Sequence, residues 1–232
     1  FAAPHLPILN YVSSSYSDIR CNDITTTLTA NLQYAYQQGT LTYWVDNLPH
    51  HTASYNQASD DMRDLQLTVS GIPADGRNDH VLHVEFSHAN SCRKQFTLPA
   101  APLSTHIESV QISGIPSPVP CSATSYEATV TVSTTYDITG QNILLKRTDG
   151  TPITMQGVSP GQQGYPATGT QTVIPVTLYD INSGTGTIVA ACESTSQCTA
   201  QGTYASPLLA TITSDFAVAV SRTGCGEMNY TV

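Results

Sequence analysis

Gly157-Val158-Ser159-Pro160-Gly161 matches the GxSxG spacing of a nucleophile elbow, in which a serine on a strand-to-helix turn attacks while the next amide steadies an oxyanion. Pro160 has no N–H to give. Residues 156–169 are rich in Gly, Pro and Gln and carry no helix signal, so the segment reads as a loop. Seven histidines raise metal binding, with His80 and His83, and the adjacent His50 and His51, as the closest sets. On a strand, positions 80 and 83 face opposite sides and cannot share one ion. Calcium suits an acidic β module better: Asp75, Asn78 and Asp79 lie in one loop, and Asp180 with Asn182 in its counterpart. These residues are also ordinary turn formers without DxDxDG spacing, so the sequence requires no cofactor, and calcium at those positions is an option to check. Asp60, Asp61 and Asp64 read as a solvated loop, no catalytic residue is assigned, and the chain is expected not to be an enzyme.

Twelve tyrosines against four phenylalanines offer flat, polar-rimmed surfaces of the kind that stack on sugars. Tyr34, Tyr36, Tyr126 and Tyr136 fall on an inward phase and read as core instead. Asn229-Tyr230-Thr231 is a formal glycosylation acceptor.

Cysteine is the remaining reactive residue. Cys21, Cys92, Cys121, Cys192, Cys198 and Cys225 lie far apart with no CxxC, which fits an oxidised, secreted context better than zinc. Two pairings are open. Bridges within units, Cys21 to Cys92 and Cys121 to Cys198, would each contribute roughly 4 kcal/mol by loop entropy. Strand alternation, however, puts the two partners at opposite ends of a sandwich, roughly 20–25 Å apart, beyond the reach of about 7 Å. The alternative is a staple between neighbouring units, for example Cys21 to Cys198. The within-unit pairing is the one adopted, with Cys192 as a buried thiol or a competing partner for Cys121, and Cys225 unassigned.

The elements that must hold these residues are strands. Of 232 residues only 11% are charged, with Lys94 and Lys146 the sole lysines, while Thr, Ser, Val, Tyr and Ile recur in tracts that suit a pleated, half-buried surface. A net charge of -9 without a basic cluster opposes nucleic acid, and no apolar run reaches the roughly 18 residues of a membrane-spanning segment. Phe1-Ala2-Ala3-Pro4 has no basic start, so any targeting segment is expected outside this sequence.

The chain also repeats. Ala2-Ala3-Pro4, Ala100-Ala101-Pro102 and Ala205-Ser206-Pro207 are spaced by 98 and 105 residues, and a cysteine follows each proline after 17, 19 and 18 residues. After Cys21, Thr26, Leu28, Ala30, Leu32, Tyr34 and Tyr36 alternate with polar residues; after Cys121, Tyr126, Ala128, Val130, Val132, Thr134 and Tyr136 do so at the same offsets. The phase restarts after Cys225 with Met228, Tyr230 and Val232.

Strands are predicted over 8–14, 24–36, 40–46, 50–56, 63–70, 80–88 and 93–98, then 106–113, 126–136, 142–147, 152–156, 171–179, 187–192 and 199–204. The fold class is therefore all-β: tandem immunoglobulin-like or fibronectin-type β-sandwich domains of about seven strands, end to end. Trp44, on the third strand, is the one candidate for the buried tryptophan of antibody domains, and its match in the second unit is a leucine, so the sequence does not press the analogy. The boundaries are 1–3 as the tail of a preceding repeat, 4–102 and 103–207 as complete domains, and 208–232 as the first strands of a truncated third.

Pro120-Cys121 with Tyr126-Glu127-Ala128-Thr129-Val130-Thr131-Val132, Val84-Glu85-Phe86-Ser87-His88-Ala89-Asn90-Ser91-Cys92, and Thr203-Tyr204-Ala205-Ser206-Pro207 make residues 4–207 similar to Ig-like repeats of large secreted Bacteroidetes surface proteins, including type IX-exported adhesins. The resemblance implies a rod at the bacterial cell surface or outside it, serving adhesion, surface movement or filament formation. Its partners would be neighbouring repeats of the same chain, surface glycans or other adhesin chains. The other reading is a pair of glycan-binding or spacer modules attached to a secreted enzyme. Two stacked units would span roughly 70–80 Å by strand rise.

Overall fold

The computed structural model describes residues 8–35, 38–56, 62–86, 93–159, 162–211, 219–224 and 227–231. Alternation dictates the first sandwich. β1 (Ile8–Tyr16), β2 (Thr25–Ala35) and β5 (Arg63–Pro73) form one antiparallel sheet, ordered β1-β2-β5. β3 (Gln38–Val45), β4 (His51–Asn56), β6 (His80–Phe86) and β7 (Arg93–Leu98) form the other, ordered β4-β3-β6-β7. On β2, Leu28, Ala30 and Leu32 are wholly buried, and they meet Leu67, Val69 and Ile72 of β5 and Leu41, Leu82 and Val84 of the facing sheet. Each large aliphatic side chain so enclosed contributes on the order of 1.5–3 kcal/mol.

The second sandwich repeats the plan. β8 (Ile107–Ser113), β9 (Tyr126–Thr134), β11 (Thr154–Met155) and β13 (Gln171–Leu178) are ordered β11-β13-β9-β8. β10 (Asn142–Lys146), β12 (Tyr165–Pro166), β14 (Thr185–Cys192) and β15 (Thr199–Ala205) are ordered β12-β10-β14-β15. Val130, Val132, Ile143, Ile174, Val176, Leu178 and Ile188 fill a core separate from the first. Here the segment between β10 and β13 gives one two-residue strand to each sheet, so the stretch read from sequence as a loop over 156–169 also holds β12. β14 ends in a 3-10 turn, Glu193–Thr195. β16 (Ala219–Gly224) and β17 (Glu227–Thr231) pair as an antiparallel hairpin.

Trp44 corrects the analogy with antibody domains. Leu41, Tyr43 and Val45 point into the core, so period two turns Trp44 to the outer face of its sheet. It is shielded there by other side chains.

Candidate functional site: the joint between two sandwiches

The densest convergence of named side chains lies where the first sandwich meets the second. Three segments of the first side take part: the β1–β2 loop, the β5–β6 loop, and the connection 99–106. They face the β9–β10 loop and the β14–β15 loop of the second side. Cys21, on the β1–β2 loop, is disulfide-bonded to Cys198, on the β14–β15 loop, with Cα atoms 4.8 Å apart and a sequence separation of 177. The within-unit pairing is thus corrected. The two loop types cap opposite ends of one sandwich, and stacking brings the β1–β2 end of one unit against the β14–β15 end of the next. Cys121 is free and exposed and Cys192 free and buried among the described residues; Cys92 and Cys225 lie outside them.

Hydrogen bonds surround the bridge. Ser104, only 1% exposed, donates its hydroxyl to the Asp23 carbonyl at 2.6 Å and its amide to the Ala74 carbonyl at 2.8 Å. His106 Nδ1 donates to the Cys21 carbonyl at 3.1 Å, and the Thr105 and Thr195 hydroxyls bond each other at 2.6 Å. Tyr136, expected in the core, instead reaches across to donate its hydroxyl to the Ile24 carbonyl at 2.7 Å. Gly76, at φ 66°, lies against Leu103, where an added Cβ would come 2.5 Å from the Leu103 Cβ; both the left-handed backbone and the close approach call for glycine. Arg77 pairs with Asp137, whose carboxyl is held down at about 2, first by the Thr139 hydroxyl and amide and then by Arg77. Both partners are exposed, so this pair adds little beside the covalent bridge. The Cys192 thiol, pushed up by burial, points to the Thr105 carbonyl at 3.8 Å.

Four of the calcium candidates, Asp75, Asn78, Asp180 and Asn182, bond other protein groups. Asp75 Oδ1 accepts the amides of Arg77 and Asn78, and Oδ2 accepts the Asn78 side chain; burial pushes this carboxyl up, but the hydrogen bonds outweigh it and the net shift is downward. Asp79 is exposed. Asp180 accepts the hydroxyls of Tyr126 and Tyr204 at 2.9 and 2.5 Å and faces Arg147 at 3.5 Å. Asn182 Oδ1 accepts the Leu209 amide at 3.0 Å. Among the described residues no group of three or more His, Cys, Asp or Glu is placed to hold a metal ion.

His80 is buried and bonded through Nδ1 to Asp46 at 2.8 Å, whereas His83 faces outward, as strand alternation requires. Outside, Trp44 stacks with His50 at 4.1 Å and with His83 at 4.9 Å between ring centroids, and the Arg93 guanidinium lies over it at 4.7 Å. Burial, then Arg93, lowers the His83 imidazole. Sequence reading missed this cluster, although the inward phase of Leu41, Tyr43 and Val45 already put Trp44 on the outer face. The Ser159 carbonyl accepts the Gln162 amide, Asp64 accepts the Gln33 side chain, and Pro160, Gly161, Asp60, Asp61 and Tyr36 lie outside the described residues. An open cleft of about 390 Å³ is lined by Arg147 and Asp180, which pair with each other, and by Thr, Pro and aliphatic side chains with Tyr179.

No protein-family model and no curated protein matches the chain. Among solved structures, "Crystal Structure of Rst D1-D2" is similar with a TM-score of 0.38 and 11% identity, over 84% of this chain and 99% of that chain. The sheet orders and the two separate cores make the chain a pair of immunoglobulin-like β-sandwiches.

Proposed function

We propose that this chain is a stiff structural segment of an extracellular or bacterial cell-surface protein, contributing reach and cohesion in adhesion, surface motility or filament formation and performing no catalysis. One observation carries the reading: the covalent bond at Cys21–Cys198 ties separate sandwiches together. A disulfide so placed fits an oxidising compartment and suppresses hinge motion that a proline-marked connection alone would permit.

The test is small-angle X-ray scattering of the oxidised chain beside Cys21→Ser. The oxidised chain is expected to give one extended shape with a largest dimension of about 70–80 Å, from strand rise, and the variant a broader distribution. Identical distributions would remove the mechanical role of the bridge. The accessory-module reading has a specific point in its favour in the outward Trp44, but its rings and faces are taken by His50, His83 and Arg93, and Trp44 is 6% exposed. A glycan array decides it: saturable binding abolished by Trp44→Ala would replace the spacer reading.

A further inference from the structure

We propose that Cys121 is a bonding site for a further copy of this module: it receives the cysteine equivalent to Cys198 on a copy docked at the far end of the second sandwich. This inference rests on the spacer reading and extends it from one joint to a series.

The molecule carries its own comparison. Cys21 and Cys121 hold the same place in the repeat, on the loop between the first two strands of their units, 17 and 19 residues after the marker prolines Pro4 and Pro102. Cys21 is bonded to the late loop of the following unit. The connection that follows the second unit also packs beside the loop that carries Cys121, through a different set of bonds. Past Pro207 the chain runs back along the second sandwich as residues 99–106 run along the first: Asn182 donates its amide to the Pro207 carbonyl, Val119 donates to the Leu208 carbonyl, and Ala210 donates to the Val119 carbonyl, all within 2.8–2.9 Å. Val119 and Leu209 form a parallel bridge. The Cys21 carbonyl accepts from His106; the Cys121 thiol donates to the carbonyl of Ala210, one place earlier in the matching connection, at 2.7 Å. The thiol is therefore held beside the path of the outgoing chain and open to solvent, on the loop that in the first unit carries the bonded Cys21. Cys192, the other described thiol, is 0% exposed and cannot take this part.

The chemistry is thiol–disulfide exchange with a small disulfide as oxidant. The Cys121 thiolate attacks oxidised glutathione, forming a mixed disulfide and expelling one glutathione thiolate. The incoming cysteine, as thiolate, then attacks the Cys121 sulfur and expels the second. Two protein thiols and one glutathione disulfide yield one protein disulfide and two glutathione thiols.

The experiment lengthens the chain by following Pro207 with a copy of residues 103–207 in which the equivalent of Cys121 is serine. After refolding in a glutathione redox buffer, non-reducing peptide mapping is expected to find both a Cys21–Cys198 and a Cys121–Cys198 linked peptide. A Cys121 that remains open to alkylation while Cys21–Cys198 forms and scattering stays extended overturns this proposal and leaves the spacer reading standing. Loss of Cys21–Cys198 as well overturns both. Should the lengthened chain not fold, maleimide labelling of the 232-residue chain decides: Cys121 is expected to react at least about tenfold faster than Cys192 under native conditions, as exposure governs thiol reactivity. Equal rates would refute an open bonding site.

Discussion

Asp180 shows how one carboxylate organises the end of a sandwich. Burial pushes its carboxyl up, yet hydrogen bonds from Tyr204 and Tyr126 and the charge of Arg147 win, and the net shift is downward. Its partners move the other way: burial and then Asp180 drive the Tyr204 phenol up to about 12 and the Tyr126 phenol higher still. Asp180→Ala would strand two nearly buried hydroxyls, and the expected loss is about 3 kcal/mol, since each bond to a charged acceptor is worth roughly 1.5–3 kcal/mol. Urea unfolding of the second sandwich measures it. The pH dependence has two limits. The raised phenols favour the folded chain fully below about pH 10, where unfolded tyrosine ionises, and that stability is lost as pH climbs toward 12. The lowered carboxyl favours it above the ordinary value of 3.8 and ceases to as pH falls through the depressed one. Melting curves with tyrosinate absorbance follow the alkaline limb. That Tyr126 faces inward is legible from period two along its strand. Its acceptor is not, because Asp180 is 54 residues away and local spacing is blind to such pairs.

The long strands are the most legible elements, because β2 and β9 run through several periods of alternation and any slip of one residue would expose every aliphatic side chain on them. β11 and β12 are two residues each and have no period to read. Matching positions can also carry opposite solutions. Phe96, four residues after Cys92, stacks on Tyr11 of β1 with ring centroids 5.8 Å apart. Gly202, four residues after Cys198, lets β15 lie directly on β8: an added Cβ would collide with the Val110 carbonyl and stand 2.7 Å from the Ile112 Cδ1. Backbone cannot step aside as a side chain can. Gly202→Ala is expected to cost at least about 2 kcal/mol, in the range of overpacked cores, with thermal melts of the two sandwiches as readout; an unchanged transition for the second would show that β8 and β15 can separate freely.

At the scale of the whole molecule, the repeat and its punctuation announce two stacked units, but which ends meet is set by loops more than a hundred residues apart. Strand alternation already weighs against the within-unit pairing, and the stacking of opposite ends is what brings Cys21 to Cys198. The bridge has a further effect on any load applied between residues 8 and 231. Tension arriving along β1 crosses from Cys21 to Cys198 through sulfur and leaves along β15, so the chain between them, a sequence separation of 177, is excluded from the path. Optical-tweezer pulling should therefore release little contour length while the bond is intact and about 600 Å more once a reductant opens it, at 3.3–3.6 Å per extended residue. Equal extension in both states would mean the load never passes through that bond. In its oxidised form the segment would behave as a tether whose contents can soften without the tether growing longer.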